Sequence, residues 1–321
     1  QLGLDSGCKL IITCRPDAVD DAGARFSVDG DVPVQQHTLL PFSSEQVADY
    51  LHKHAAGFDE QLFRKHNTGS LADALSVPFV LSLFARSWAS QTSAGLEGAT
   101  RPEIYRTFVQ HWEREAKSRL PAALCAGLEP LEQCFGLAAI DMAANDRLVS
   151  EVRTSWFRLE EAAEEHVRQV FAAGRADGRR SLLDEGQYTQ VLLGKVRSTL
   201  ESCPLKGGRS FTHKSLFEYA LARSTADFTL LGADFPTLEP SVVRTDVAAL
   251  VFLQEVLQGK VQELYTVVVE TSRAGGDSRR AAVAATALCG LNKSLRGLNW
   301  SGVKLAGAFL QHADLRGTDL E

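Results

Sequence analysis

The chain opens with an apolar run that predicts a buried strand. Lys9–Pro16 reads Lys-Leu-Ile-Ile-Thr-Cys-Arg-Pro, so the apolar residues stop at an arginine and a proline. Such continuous runs are typical of strands covered on both faces, and proline ends a strand. Ligands of α/β proteins bind at the carboxyl edge, where the Arg15 guanidinium would suit a phosphate. An ordinary surface arginine before a turn fits these residues equally well.

After a second predicted strand at His37–Leu40, the periodicity becomes helical. Ser43 and Gln46 predict a capping box that starts the first helix, and Pro78 suits the first turn of another. Loops are predicted at 90–100 and 174–186, which are rich in small or charged residues. Apolar residues at helical spacing predict helices at about 44–51, 58–66, 78–88, 102–120, 187–202, 243–257, 261–272 and 277–291, with a mostly helical stretch and two breaks over 121–171.

A β-hairpin is predicted near residue 207. Cys203-Pro204-Leu205 and Arg209–Thr212 are short extended runs on either side of Lys206-Gly207-Gly208. A helix, this hairpin and a further helix together indicate a winged-helix unit. Since Lys195 and Arg197 provide too little positive charge for a DNA-recognition helix, we expect a protein-contact version.

The helix after the hairpin carries a candidate ligand residue. In Phe211–Tyr219, Ser215 and Glu218 predict a capping box, which puts His213 just outside the helix N-terminus. Free N–H groups and the helix dipole favour an anion there, and an imidazole can donate one more hydrogen bond. A structural histidine bonded to the hairpin backbone is the alternative.

The last part of the chain has a period of five. Apolar residues recur at Leu295, Trp300, Leu305, Leu310, Leu315 and Leu320, and glycine follows two positions later at 297, 302, 307 and 317. Neither a helix nor a strand has this period. The segment looks like a pentapeptide repeat, whose members coil as a right-handed, four-sided β-helix with the central residue inward. Each coil relies on its neighbours for burial, so we expect the array to continue.

Composition narrows the class of partner. The chain has 321 residues, of which 40 are acidic and 34 basic, and it has no dense basic cluster. We therefore expect no nucleic-acid partner and no membrane partner. Its apolar runs are shorter than the roughly 20 residues that span a bilayer. The six cysteines lack zinc or disulfide spacing, which favours a reducing, cytoplasmic location and no metal site in this chain.

A phosphate-binding loop is missing. That loop requires Gly, four residues and Gly-Lys-Ser/Thr. Gly194-Lys195 has Thr189 at the first glycine position, and Gly259-Lys260 has Gln254. No acidic metal-binding strand precedes Lys9, and residue 1 is glutamine, so we expect a piece of a longer protein. Without Walker A and Walker B motifs, this chain should not hydrolyse ATP by itself.

Several motifs, in order, resemble the NACHT family of STAND signalling NTPases. The sensor strand of that family ends Thr-x-Arg-Pro, as at Thr13–Pro16, and Leu40-Pro41-Phe42 resembles its Leu-x-Pro-Phe motif without the spacer. Ser76-Val77-Pro78 resembles its Gly-x-Pro turn with serine for glycine. Phe211–Tyr219 matches its Phe-x-His-x-Ser-x-x-Glu-Tyr at every named position. By resemblance, Arg15 is the sensor, Pro78 contacts adenine and His213 contacts the β-phosphate of ADP. For Pro78, a simple helix starter is the alternative.

The resemblance implies a multidomain, mainly α fold. It begins with a small α/β remnant of a P-loop NTPase domain at 1–42. Helical domain 1 follows at 43–120, a winged-helix domain at 121–228, helical domain 2 at 229–292, and the start of a right-handed parallel β-helix of pentapeptide repeats at 293–321.

The implied function is part of an ATP/ADP-dependent switch. ADP, held by Arg15, Pro78 and His213, would keep the closed state, and the missing part of the site would supply Mg²⁺. Partners would be other proteins, or further copies of the protein on activation. The alternative is a non-catalytic scaffold with a repeat-tail binding surface. A DNA-mimicking repeat is disfavoured, because it needs an acidic face and the repeats show only Asp314, Asp319 and Glu321 against Lys304 and Arg316.

Overall fold

Helices make up most of the part of the chain that the structure describes. The structure is a computed structural model, and it describes residues 40–91, 93–97, 99–176, 184–206, 209–244, 247–257, 259–273, 277–311 and 313–319. The mainly helical prediction is confirmed. The predicted strands at Lys9–Pro16 and His37–Leu39, together with Arg15, Cys8 and Cys14, lie outside these residues; Leu40 is described and has no regular structure.

The first half of the described chain consists of helices. They are α1 Ser44–His54, α2 Glu60–His66, α3 Gly69–Leu75, α4 Pro78–Ser87, a 3₁₀ turn Trp88–Ser90, α5 Ser93–Leu96, α6 Arg101–Arg119, α7 Ala122–Cys125, α8 Leu131–Asn145 and α9 Leu159–Ala176.

The second half adds one hairpin and then helices again. The elements are α10 Glu185–Glu201, β1 Leu205–Lys206, β2 Ser210–Phe211, α11 Lys214–Ala226, a π-helix Asp227–Leu231, α12 Pro240–Arg244, α13 Val247–Val256, α14 Val261–Arg273 and α15 Ser278–Gly290.

Local sequence signals account for several helix starts. The Ser43 hydroxyl accepts from the Gln46 N–H at 3.4 Å, and Gln46 Oε1 accepts from the Ser43 N–H at 2.9 Å, so the predicted capping box is confirmed. Pro78 occupies the first turn of α4, where its missing N–H costs nothing. Helix α3 was not predicted. It begins at Gly69 with φ near +53°, and Thr68 makes no side-chain cap.

Helix α6 lies at the centre of the helical packing. It contacts α3, α4, α8, α11 and α13. Its buried face includes Tyr105, Val109 and Trp112. Helices α8 and α11 approach closely, since a Cβ added at Gly136 would lie 2.2 Å from the Ser224 Oγ. This contact packs the C-terminal half of α11 against α8.

The hairpin is short and antiparallel. Leu205 pairs with Phe211, and Lys206 with Ser210. Hairpin formation between these runs is confirmed, while the turn at Gly207-Gly208 lies outside the described residues. The Thr212 N–H donates to the Pro204 carbonyl at 3.0 Å, which leads the chain from β2 into α11.

The repeat tail forms a coil with five residues on each side. Within it, the N–H groups of Val303, Ala308, Ala313 and Thr318 each donate to a carbonyl three residues earlier. Asn299 forms a parallel bridge with Asp319, which is four repeats further on, and the Trp300 N–H donates to the Asp319 carbonyl at 2.8 Å. A full circuit after four repeats is the predicted four-sided geometry.

Helices α14 and α15 support the first coil. The Phe309 N–H donates to the Thr286 hydroxyl at 3.0 Å, and the Tyr265 hydroxyl donates to the Ser294 carbonyl at 2.9 Å. Alanine covers much of α15, so neighbouring helices pack tightly against it. Leu295 and Trp300 are almost fully buried and belong to the same apolar core as the helices.

Residues Pro41–Glu321 form one compact unit. The domain boundaries at 43–120, 121–228, 229–292 and 293–321 stay predictions. Among the described residues no single helix combines the length and apolarity of a membrane span. The pair Gly69–Leu75 and Pro78–Ser90 meets those criteria jointly, but bends by 107° at its break.

Candidate functional site

His213 is the N-cap residue of α11. Its backbone is extended, and its Nδ1 accepts the Ser215 N–H at 3.1 Å. The predicted capping box of Ser215 and Glu218 is therefore wrong, because the imidazole takes the capping role that serine was expected to fill. Glu218 instead pairs with Lys214, with 3.4 Å between Oε1 and Nζ.

A chain of hydroxyl groups connects His213 to α6. The Tyr105 hydroxyl donates to the Ser215 Oγ at 2.7 Å, and the Ser215 Oγ lies 2.6 Å from His213 Nδ1. Tyr105 is 1% exposed, so the chain starts in the core and ends at an exposed ring. Burial raises the pKa of Tyr105 to about 12, which keeps its hydroxyl a donor at any physiological pH.

The first turn of α4 meets the same imidazole. The Phe79 and His213 rings are stacked, with centroids 3.6 Å apart and an angle of 11° between planes. Phe79 follows Pro78, which is exposed at the start of α4. The Phe42 N–H donates to the Ser76 carbonyl at 2.9 Å, so the chain before α1 is also attached to this turn.

The fold thus brings together parts of three sequence motifs: Pro41-Phe42, Ser76-Val77-Pro78 and His213. Residues of α4 and α11 that are far apart in the sequence share one surface. Arg15, the third predicted site residue, lies outside the described part of the chain. The assignment of Arg15, Pro78 and His213 to a nucleotide stays a prediction.

An aromatic layer supports this surface from below. The Tyr105 ring lies 5.3 Å from Tyr219 and 5.3 Å from Phe252. The Arg101 guanidinium lies over the Phe252 ring, 4.0 Å from its centroid, and forms a two-point ion pair with Glu255, with contacts of 3.1 and 2.6 Å. Helices α6, α11 and α13 are joined here by ring packing and one partly buried ion pair.

A buried carboxyl group lies at the edge of that layer. The Tyr219 hydroxyl donates to Glu132 Oε1 at 3.1 Å. Burial raises the pKa of Glu132, and burial with the nearby Glu132 charge raises the pKa of Tyr219 well above its usual value. Because the folded state holds the Glu132 proton more tightly than the unfolded state, this carboxyl costs stability as pH rises from 4.5 through its raised pKa.

Glu132→Gln is therefore expected to stabilise the chain at neutral pH. The amide oxygen still accepts from Tyr219 but carries no buried charge, so the gain should be on the order of 1 kcal/mol, or roughly 2–4 °C in melting temperature. The gain should vanish below about pH 4.5, where Glu132 is protonated. Thermal melts at pH 4 and pH 7 check this, with the exposed Glu161→Gln on α9 as control. A lower melting temperature at pH 7 would contradict it.

Two contacts of this site had no signal in the sequence. Phe79 follows a predicted helix start and Tyr105 falls within a predicted amphipathic helix, so each would be assigned to the core. Their partners, His213 for Phe79 and Ser215 for Tyr105, lie at the start of α11, far along the chain. A pair of residues across such a distance cannot be found from periodicity, which reports only local structure.

Three of the described cysteines have thiols that are unusually weak acids. Burial raises the pKa of Cys134 and of Cys203 to about 12 and of Cys289 to about 11, so the reactive thiolate is scarce. In the same residues, no cluster of three or more His, Cys, Asp or Glu side chains is arranged to hold a metal ion.

An open cleft of about 770 Å³ lies on the other side of the start of α11. Its walls include Met142, Arg147, Phe211, Lys214 and Phe217. Neither Pro78 nor His213 is among its described lining residues, so this cleft and the stacked site are separate features.

Comparison with protein families identifies the end of the chain. The model for pentapeptide repeats matches residues 294–321, with eight copies. This agrees with the five-residue turns and the four-repeat circuit described above. A search of curated proteins and a search of solved structures found no match. Repeats of this kind suggest a protein-interaction or scaffold role for the segment.

Proposed function

We propose that this chain is part of a nucleotide-dependent switch that holds ADP in its resting state and is activated by exchange for ATP. The observation that supports this most is the stacking of Phe79 on His213 at 3.6 Å. It joins the turn that carries Pro78 to the helix start that carries His213. These are the two described residues to which the NACHT resemblance assigns the nucleotide.

The chemistry of the surface fits an anionic diphosphate. A neutral His213 ring that accepts at Nδ1 carries its hydrogen on Nε2 and can donate it to a phosphate oxygen. The dipole of α11 favours negative charge at the same place, beside the N-terminus of the helix. Pro78 offers a flat, exposed surface for a purine, and Arg15 would add a second cationic contact from residues outside the described part.

Switching requires that ADP favours one conformation. A ligand shifts an equilibrium only by its difference in affinity for the two states. One charged hydrogen bond from His213 contributes about 1.5–3 kcal/mol, enough to bias the closed state. Exchange for ATP with Mg²⁺ would break this contact and release α11 and the elements after it, which could then take part in self-association.

Nucleotide retention tests this proposal. The protein that carries this chain, purified without added nucleotide, is expected to contain bound ADP, measured by ion-exchange chromatography after denaturation. His213→Ala and Arg15→Ala should each weaken ADP binding by roughly 10- to 150-fold, the range that corresponds to 1.5–3 kcal/mol. His166→Ala, on α9 and away from α11, is the control.

Two outcomes would count against the switch. One is wild-type protein with no bound nucleotide and no change in thermal stability on adding millimolar ADP. The other is equal ADP retention by wild type, His213→Ala and Arg15→Ala. In the second case, another part of the protein would bind ADP, and His213 would be a structural N-cap.

A non-catalytic scaffold is the second candidate function. The pentapeptide match over 294–321 and the coil fixed on α15 favour it. A scaffold needs no ligand-dependent change, so its oligomeric state by light scattering should be the same with ADP, with ATP and without nucleotide.

A further inference from the structure

The surroundings of His213 select one form of its ring. Nδ1 is approached by two groups of Ser215, the N–H at 3.1 Å and the Oγ at 2.6 Å. The backbone N–H can only donate, so Nδ1 must accept. The Ser215 hydroxyl receives the Tyr105 hydrogen at 2.7 Å and thus has its own hydrogen left to donate to Nδ1. The three hydrogen bonds therefore point the same way: the Tyr105 hydroxyl donates to Ser215, and the hydroxyl and N–H of Ser215 both donate to His213.

The ring plane is held as well as its protonation. The Phe79 ring covers one face of the imidazole at 3.6 Å and 11°, which opposes rotation of the ring out of that plane. Tyr105 is fixed in turn by the Tyr219 and Phe252 rings and by burial. The orientation of an exposed histidine is therefore set by residues of α4, α6 and α11.

We infer that Tyr105 and Ser215 are positioning residues that hold His213 in the tautomer with its hydrogen on Nε2. The role of this donor toward a nucleotide rests on the proposed function, but the tautomer does not. A structural N-cap needs only an acceptor at Nδ1, which the Ser215 N–H already occupies. The additional hydroxyl chain has a distinct consequence: it ties the donor state of His213 to the position of α6.

The tautomer can be read directly from ¹⁵N chemical shifts. The whole chain is labelled with ¹⁵N-histidine, and His213 is assigned as the signal lost in His213→Gln. Long-range ¹H–¹⁵N spectra at a pH where histidine is neutral should show widely separated ring nitrogens, with the protonated type at Nε2. Ser215→Ala should lower the ratio of the Nε2–H tautomer to the Nδ1–H tautomer about five-fold, the factor given by a net hydrogen bond of about 1 kcal/mol.

Further variants separate positioning from folding. Tyr105→Phe should narrow the shift separation, as Ser215→Ala does. Ser215→Thr, which keeps a hydroxyl, should leave the separation as in the wild type. Tyr188→Phe, whose ring packs on Phe171 away from this chain of hydroxyls, should leave the separation unchanged. Backbone spectra of each variant show whether the fold is intact.

Equal shift separation in wild type, Ser215→Ala and Tyr105→Phe would overturn the inference. The nucleotide experiment tests a separate claim. If the tautomer shifts in Ser215→Ala but His213→Ala retains ADP like the wild type, the positioning role stands and the proposed switch does not.

Discussion

Trp300→Ala is expected to destabilise the repeat tail by about 3–5 kcal/mol. Trp300 is 1% exposed and lies in the apolar core that continues from the helices into the coil. Its backbone N–H donates to the Asp319 carbonyl and so connects both ends of one circuit. Alanine keeps this bond, so the expected loss comes from the side chain. Removing the indole leaves a large cavity in this core. Urea unfolding followed by circular dichroism measures the loss.

The variant should also make the tail accessible to protease. Limited proteolysis with mass analysis is expected to show early cleavage within 294–321 in Trp300→Ala, while the helices stay intact. Leu305→Ala changes the next central position, which is only half-buried, and should cost clearly less. Equal losses for the two variants would mean that Trp300 has no special part in fixing the tail to the helices.

The coil is the part of the fold that could be predicted in most detail. Most repeats contain their own turn information, because glycine stands two positions after the central residue at 297, 302, 307 and 317. Gly297, Gly302, Gly307 and Gly317 all have φ between 69° and 82°, a conformation that other residues rarely adopt. Local chemistry repeated at a fixed period therefore determined the geometry, and the four-repeat circuit followed from the family resemblance.

Of the two predicted capping boxes, the one at Ser43 was correct and the one at Ser215 was wrong, for a physical reason. Ser43 and Gln46 were a correct pair because both side chains bond within the exposed first turn of α1. Ser215 was a wrong choice because its hydroxyl bonds Tyr105 and His213. Capping motifs report which side chains are able to cap, while tertiary contacts decide which of them does so.

The candidate site could be predicted in its residues but not in its contacts. Pro78 and His213 were found by motif and spacing, yet the ring that joins their helices, Phe79, looked like any core residue. Its meeting with His213 depends on α6, which contacts both α4 and α11. Such a contact is a property of helix packing, and no local pattern encodes it.

Central helix α6 gives the proposed switch a structural consequence. Tyr105 bonds Ser215, and Arg101 bonds Glu255. A movement of α11 away from α4 would have to break the ring stack and the hydroxyl chain together. Interactions that break together make a transition two-state, which is the behaviour that a ligand-controlled switch requires.

Trp156→Ala is expected to lower the free energy of unfolding by about 3–5 kcal/mol, because it removes a fully buried indole and a hydrogen bond at once. The ring lies 5.3 Å from Trp112 of α6, and Nε1 donates to the Glu129 carbonyl at 3.0 Å, just before α8. Trp156→Phe keeps most of the apolar contact and leaves that carbonyl without its donor, so its loss should be about 1–3 kcal/mol. Chemical denaturation of the whole chain measures both.

Since Trp156 attaches the segment before α9 to the start of α8, and α8 supports α11, Trp156→Ala should also reduce the His213 shift separation. An unchanged separation in a clearly destabilised variant would mean that the packing of Trp156 does not fix the position of the α11 N-terminus.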